Sequence, residues 1–206
     1  PVTRITSIRM LIAIASLYNL EIHQIDVKTA FLNGELNEKI YMEQPEGFSI
    51  LGKERKVCKL VKSLYGLKQA LKQWHEKFDK AMMSNGFKIN ECDKCVYIKN
   101  TDKGYVIVCL YVDDMFIIGS NNDMIKTTKK MLNKHFDMKD MGIADAILGT
   151  KITKTSEGYV LSQSHYIEKI LDKFSKDDDH LSRTPVDVNL YLSKNVQESI
   201  SQLEYV

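Results

Sequence analysis

The sequence predicts an α+β fold in which helices back an antiparallel sheet. Two apolar, β-rich runs, 105–112 and 115–118, are separated only by Asp113 and Asp114, and this spacing is typical of an antiparallel hairpin. Apolar residues recur every three or four positions over 67–81, which predicts an amphipathic helix. With 206 residues, of which 44% are hydrophobic and 27% charged, the chain can bury one compact core.

The chain begins with a helix followed by a strand. Apolar side chains at helical spacing predict a helix over 5–18 that ends near Asn19. Residues 23–27 are β-prone, so Asp26 is expected at the end of a strand. A helical turn over 29–32 follows directly. Asp26 is therefore predicted to lie where a strand gives way to a turn.

The remaining elements are separated by turn signals. They are strands at 39–43 and 56–61, the 67–81 helix with its stop at Asn85-Gly86, the hairpin with aspartates at its tip, a helix capped by Asn122 or Asp123, a hairpin of 146–153 with 159–163, and a helix from Ser164 to Phe174. Beyond it the chain is polar and holds three consecutive aspartates, Asp177 to Asp179. Residues 176–206 are predicted to form a linker.

Charge is concentrated in one region. The formal net charge is only +2, but residues 51–90 hold ten Lys or Arg against three Asp or Glu. Such a surface can face the phosphates of a nucleic acid. The alternative is a solvated helix whose lysines only keep the protein in solution.

Composition also excludes several classes of protein. No apolar run approaches the ~20 residues that span a bilayer, and residues 1–9 lack the pattern of a signal peptide, so an intracellular protein is expected. Cys92 and Cys95 form a C-x-x-C without the second pair that a structural zinc site needs. Reduced thiols are expected. The chain starts on Pro1, and it is expected to be a piece of a longer polyprotein.

Asp113 and Asp114 predict a site for a divalent cation. Two adjacent carboxylates between apolar strands repel each other and lose hydration, so a cation should neutralise them. Oxygen ligands favour Mg²⁺, which keeps several waters and takes further ligands from phosphates. Asp26 could supply a third carboxylate. The alternative is ordinary turn chemistry, in which Asp is common because it tolerates unusual backbone angles.

Several motifs make the sequence resemble the reverse transcriptases of copia-type LTR retrotransposons. The tetrapeptide Tyr-Val-Asp-Asp at 111–114 resembles the signature of these enzymes. Other family-like blocks follow the family order along nearly the whole chain. They are HQIDVKTAFLNG at 23–34, YMEQPEGF at 41–48, SLYGLKQA at 63–70, Leu148-Gly149 with Lys151-Ile152, YVLSQ at 159–163 and Tyr166-Ile167.

The resemblance implies a fold, an activity and a cofactor. It implies that residues 1–175 form a polymerase palm and part of the fingers, with the fingers truncated at the N-terminus. It also implies that residues 176–206 form a linker toward a missing connection and RNase H region. The implied activity is RNA-directed DNA polymerisation by two-metal nucleotidyl transfer with two Mg²⁺ ions. The implied metal ligands are Asp26, Val27, Asp113 and Asp114; Asp26, Asp113 and Asp114 are also implied catalytic residues, with Lys139 as a candidate proton donor to the pyrophosphate.

The resemblance further implies residues that bind substrate. Thr29 and Ala30 match main-chain contacts to the nucleotide triphosphate, and Phe31 matches a gate against the ribose 2′-hydroxyl. A plain core aromatic is the alternative for Phe31, and a solvated charge the alternative for Lys139. Gln69 matches a residue that positions template and nucleotide. The implied contacts to primer and template are Tyr111, Lys68, Lys72, Leu148 and Gly149.

The implied partners are deoxynucleoside triphosphates and an RNA or DNA template with its primer, without a membrane. The implied location is a cytoplasmic virus-like particle, with the nucleus as a further compartment. The sequence departs from the family pattern Pro-Arg-x-Trp-Tyr after Ala70, where it has Leu71, Lys72 and His75. Lys in place of Arg loses a bidentate grip on phosphate. Two alternatives therefore stay open, a non-catalytic remnant that retains nucleic-acid binding and a relic without activity.

Overall fold

The structure is a computed structural model that describes residues 2–49 and 51–174. Contacts divide the chain into one compact unit that ends at Gln163 and a second that begins at Ser164. The predicted linker over 176–206 lies outside the described residues. In the part that the structure describes, no helix is long and apolar enough to cross a membrane.

The described chain contains helices, strands and one short 3₁₀ helix. The α-helices are α1 (Ile5–Leu17), α2 (Ala70–Ser84), α3 (Asn122–His135) and α4 (Ser164–Phe174), and the 3₁₀ helix is Ala30–Asn33. The strands are β1 (Glu21–Val27), β2 (Tyr41–Met42), β3 (Cys58–Lys59), β4 (Lys88–Ile89), β5 (Val96–Thr101), β6 (Gly104–Tyr111), β7 (Asp114–Gly119), β8 (Met138–Ile143), β9 (Ala146–Ile147), β10 (Thr150–Thr155) and β11 (Gly158–Ser162). All of these except α4 belong to the first unit.

Six strands form the main sheet, in the order β4-β5-β6-β7-β1-β8. Every neighbouring pair is antiparallel. Strand β1, the first in the chain, lies between β7 and β8. Two smaller sheets, β11-β10-β9 and β2-β3, complete the unit. The α+β class with an antiparallel sheet is therefore confirmed.

The sheet has a hydrophobic core on each face, because successive strand residues point to opposite sides. One core joins Trp74 and Phe78 of α2 and Leu132 of α3 to strand residues such as Ile25 and Met115. The other joins α1 and the β9-β10-β11 sheet to alternate residues of the same strands, such as Ile22 and Phe116. Helices cover part of each face of the sheet, and Asp26, near the C-terminal end of β1, stays partly exposed.

Some predicted boundaries were wrong. The hairpin turn consists of Val112 and Asp113, because Tyr111 pairs with Asp114, which already belongs to β7. Helix α2 begins at Ala70, three residues later than predicted, because Gly66 lies at φ 93° in a turn ahead of it. The side chain that caps α3 is Asn121, whose oxygen accepts from the Asp123 amide, and not Asn122 or Asp123.

Candidate active site

Four side chains form a row across the main sheet. Asp26 of β1 is directly opposite Asp114 of β7 and Lys139 of β8, and Asp114 is opposite Tyr111 of β6. Directly opposite residues in antiparallel strands project from the same face. Two carboxylates, one ammonium and one phenol therefore line up at one end of the sheet, and β1 lies far in the chain from the other three strands that contribute them.

Asp113 lies beside this row, in the turn between β6 and β7. The Val27 amide donates to the Asp113 carbonyl oxygen at 2.8 Å, which ties the turn to the end of β1. Val112 has a φ of 57°, in the left-handed region that β-branched residues rarely adopt. Strain of this kind persists only where neighbours hold it. Here the Trp74 indole N–H donates to the Val112 carbonyl oxygen at 3.0 Å.

The two oxygens of the Asp113 carboxylate differ in their hydrogen bonding. Oδ2 accepts a hydrogen bond from the Tyr65 hydroxyl at 3.0 Å. Oδ1 is buried and has no hydrogen-bond partner among the residues that the structure describes. Buried oxygens without a partner are rare in proteins and call for an explanation, such as a bound ion. Asp114 is different, because its Oδ1 accepts from Gln24 Nε2 at 3.2 Å.

The electrostatics of the site disfavour bare carboxylates. Burial raises the pKa of Asp26, the negative Asp114 raises it further, and Lys139 opposes both effects. Burial also raises the pKa of Asp113, with Asp26 and Asp114 adding to the shift and the Tyr65 hydrogen bond opposing it. Neighbouring carboxylates thus destabilise the charged forms of Asp26 and Asp113. A cation between them would reverse this effect.

The donor set fits a hard divalent cation. It consists of carboxylate oxygens, one of them buried and without a partner, and oxygen is the ligand that Mg²⁺ prefers. Among the described residues, no three His, Cys, Asp or Glu side chains converge as a ready-made metal cluster. Mg²⁺ sites that borrow ligands from water and phosphate do not need such a cluster. Asp26 and Asp113 would hold such an ion, with Asp114 adding charge.

The predicted nucleotide residues follow β1 directly. Thr29 lies at φ 50° and Ala30, fully buried, begins the 3₁₀ helix. The Phe31 ring is half-buried and packs at an edge-on angle against the Tyr65 ring, with centroids 4.4 Å apart. Tyr65 therefore contacts both Phe31 and Asp113, and this residue was not selected from the sequence. Its only signal was its place in the 63–70 motif.

Comparison with known proteins decides the family. A family model described as "Reverse transcriptase (RNA-dependent DNA polymerase)" matches residues 1–188. This chain belongs to the reverse transcriptase family. The predicted copia-type resemblance is confirmed.

Curated relatives are transposon polyproteins. The chain is 49% identical to the retrovirus-related Pol polyprotein from transposon TNT 1-94 of Nicotiana tabacum, over 95% of the chain and 15% of that protein. It is 35% identical to the Pol polyprotein from transposon RE1 of Arabidopsis thaliana, over 83% of the chain and 12% of that protein. It is 30% identical to the transposon Ty1-NL2 Gag-Pol polyprotein of Saccharomyces cerevisiae, over 69% of the chain and 8% of that protein. The chain thus spans a small part of these relatives. No solved structure matches it.

The other predicted contacts of this reverse transcriptase segment lie near the start of α2 and in the turn between β9 and β10. Gln69 immediately precedes α2, and the exposed Lys68 and Lys72 flank it. Lys72 lies 3.8 Å from Glu76, and both side chains are well exposed, so their attraction contributes little. Leu148 and Gly149 form the two-residue turn between β9 and β10, with φ values of 50° and 75°. These roles stay predictions.

Proposed function

We propose that this chain forms the palm of a copia-type reverse transcriptase that adds deoxynucleotides to a primer 3′-hydroxyl by two-metal nucleotidyl transfer. The observation that carries the proposal is the strand register that puts Asp26 opposite Asp114, with Asp113 in the adjoining turn. Membership of the reverse transcriptase family supports it. The template is RNA or DNA; this chain includes part of the fingers, and the rest of the fingers and the connection and RNase H regions are proposed to lie in other parts of a longer polyprotein.

The carboxylates have distinct tasks in this proposal. Asp26 and Asp113 would hold the ions together with the Val27 carbonyl oxygen, and Asp114, which lies opposite Asp26 on β7, adds negative charge. When bound, two Mg²⁺ ions stabilise the attacking and leaving oxygens of the transfer. The exposed Lys139, opposite Asp26, is placed to donate a proton to the leaving pyrophosphate.

The surroundings select and hold the substrates. The Thr29 and Ala30 amides contact the triphosphate, and Phe31 excludes the 2′-hydroxyl with Tyr65 supporting its ring. Gln69 positions the nucleotide against its template base. The contacts to primer and template, which include exposed basic side chains and an exposed turn, are Tyr111, Lys68, Lys72, Leu148 and Gly149.

The test compares Asp113→Asn with Asp102→Asn. Asp102 lies in the exposed turn between β5 and β6, so its substitution is the matched control. In a Pol protein that contains this chain, Asp113→Asn should abolish Mg²⁺-dependent primer extension, and Asp102→Asn should leave it unchanged. In the 206-residue chain, Mg²⁺ at a hundredfold excess over its Kd should raise the free energy of unfolding by about 2.7 kcal/mol, but only with Asp113 intact. Equal extension by both variants would refute the proposal.

A second candidate function is nucleic-acid binding without catalysis. It is favoured by the basic 51–90 region together with Lys72, which stands in place of the family's Arg and has an exposed side chain. Under this alternative, primer-template binding is retained while no nucleotide is added at any Mg²⁺ concentration. The same extension assay, run beside a binding titration, separates the two functions.

A further inference from the structure

A charged residue is buried against the face of the main sheet opposite to the one from which Asp26, Asp114 and Lys139 project. Lys129 of α3 keeps only 11% of its side chain exposed. Its ammonium donates to Asp140 Oδ1 of β8 at 2.6 Å and contacts His23 Nδ1 of β1 at 2.9 Å. Burial of an ammonium is unfavourable unless such partners compensate it. The helix therefore holds two neighbouring strands through one side chain.

The network continues to the far side of His23. An ammonium has no lone pair, so Nδ1 must accept the hydrogen bond, and the ring proton is then on Nε2. That nitrogen lies 3.4 Å from Glu21 Oε2. The chain Glu21, His23, Lys129 and Asp140 thus runs from β1 through α3 to β8. The Asp140 carboxylate lies directly against the buried ammonium, and the Glu21 carboxylate lies on the far side of His23.

Asp140 lies at a bulge in β8. Ile25 pairs with Asp140 and Gln24 pairs with Gly142, so the ladder skips Met141. Asp140 Oδ1 also accepts from the Gly142 amide at 2.9 Å, which closes the bulge. Gly142 has a φ of 81°, a conformation that glycine adopts without strain. The contact from Lys129 therefore reaches the residue that fixes the bulge.

Strand β8 is at the end of the six-stranded order among the described strands. A strand with one neighbour is held by fewer hydrogen bonds, and a slip of one residue turns each of its side chains to the other face. Lys139 and Asp140 are adjacent, so they point to opposite faces. A constraint on Asp140 below the sheet is thus also a constraint on Lys139 above it.

We propose that Lys129 is a positioning residue that fixes the register of β8 and so holds Lys139 opposite Asp26. The part of this inference that concerns the role of Lys139 rests on the proposed function. The part that concerns the register of β8 rests on geometry alone. Lys129 lies at helical spacing from the buried Ile125 and Leu132, so it belongs to the buried face of α3.

The register is tested directly in the 206-residue chain. Lys129→Met removes the charge at similar length, and Lys130→Met changes the neighbouring exposed lysine as a matched control. Lys129→Met should abolish the main-chain NOE between Asp26 and Lys139 and speed amide exchange across β8, while Lys130→Met does neither. Asp140→Asn alters a half-exposed side chain and serves as a second variant in case Lys129→Met does not fold. It should also abolish the NOE between Asp26 and Lys139. Retention of that NOE in every folded variant would overturn the inference.

A double-mutant cycle then separates positioning from general stability. In a Pol protein that contains this chain, Lys129→Met should lower kcat by at least about tenfold with the KM for nucleotide unchanged. In a Lys139→Met background the same substitution should lower kcat by less than about twofold, because the two residues act through one effect. An equal loss in both backgrounds would contradict the proposal. Absence of any extension by the unsubstituted protein would count against the proposed function, and the NOE measurement would still decide the register.

Discussion

The Trp74 indole N–H donates to the carbonyl oxygen of Val112 at 3.0 Å, so a helix residue holds the turn that carries Asp113. The turn needs such support, because a left-handed conformation costs a residue with a Cβ roughly 1–2 kcal/mol. Trp74 is fully buried and packs edge-on against Phe136, with centroids 5.0 Å apart. The indole therefore links the hydrophobic core to the geometry of the active site.

Trp74→Phe should loosen this turn. The substitution keeps an aromatic ring and removes the donor, so the free energy of unfolding should fall by about 1–3 kcal/mol. Circular dichroism during urea unfolding measures this, since the chain has a single Trp and its fluorescence is lost. The Val27 amide, which donates to Asp113, should exchange faster. Phe78→Leu is the control, because it should destabilise the core without selective exchange at Val27; equal exchange in both variants would contradict the prediction.

Asp113→Asn should stabilise the metal-free fold near neutral pH. The folded-state pKa of Asp113 lies above its ordinary value, so ionisation is less favourable in the folded chain and lowers stability at neutral pH. The advantage of Asn should be full above the raised pKa, shrink as pH falls through it, and disappear below the ordinary value of 3.8. Urea midpoints of both proteins at several pH values, without Mg²⁺, measure the difference. An advantage that grows on acidification would mean that the sign is wrong.

Phe31→Ala should relax the choice of sugar. If the ring supplies about 3 kcal/mol of discrimination, the ratio of kcat/KM for deoxynucleotide over ribonucleotide should fall by roughly a hundredfold. Use of deoxynucleotides should drop modestly, because the packing against Tyr65 is also lost. Tyr65→Phe is the matched control, since it keeps that packing. Equal losses for both sugars would mean that Phe31 is only a core aromatic.

Lys68→Gln with Lys72→Gln should weaken nucleic-acid binding in a salt-dependent way. If both lysines face phosphates, the slope of log affinity against log salt should flatten by about one to two units. A titration with primer-template at several salt concentrations gives the slope. Lys126→Gln with Lys130→Gln removes two exposed charges from α3 and should leave the slope unchanged. Identical slopes for all proteins would assign Lys68 and Lys72 to solvent.

Local patterns predicted much of the fold. The helix periodicity of α1, α2 and α3 and the apolar hairpin strands are properties of neighbouring residues, and the structure contains all of them. Strands β4, β5 and β8 were missed. Strand β8 has no alternating apolar pattern, because Lys139, Asp140 and Met141 are all exposed, and its pairing with β1 is a long-range choice.

The site was predicted less completely for the same reason. Asp26, Asp113 and Asp114 could be selected because their local settings, a strand end and a hairpin tip, resemble the family motifs. Tyr65 and Lys129 act through contacts with residues 48 and 106 positions away. No periodicity or spacing reports such contacts. Only the packed sheet brings these side chains to the carboxylates and to β8.

Because β1 lies between β7 and β8, it can complete its pairing only after both of these strands have been made. Strand β1 is synthesised before its two sheet neighbours, which begin only at Asp114 and Met138, and synthesis proceeds at roughly 5–20 residues per second. Until both neighbours are made, the backbone of β1 has two unpaired edges, which is a hazard for aggregation. A chain that stops ahead of β8 thus leaves Asp26 in a strand with one unpaired edge, and an unpaired edge favours aggregation.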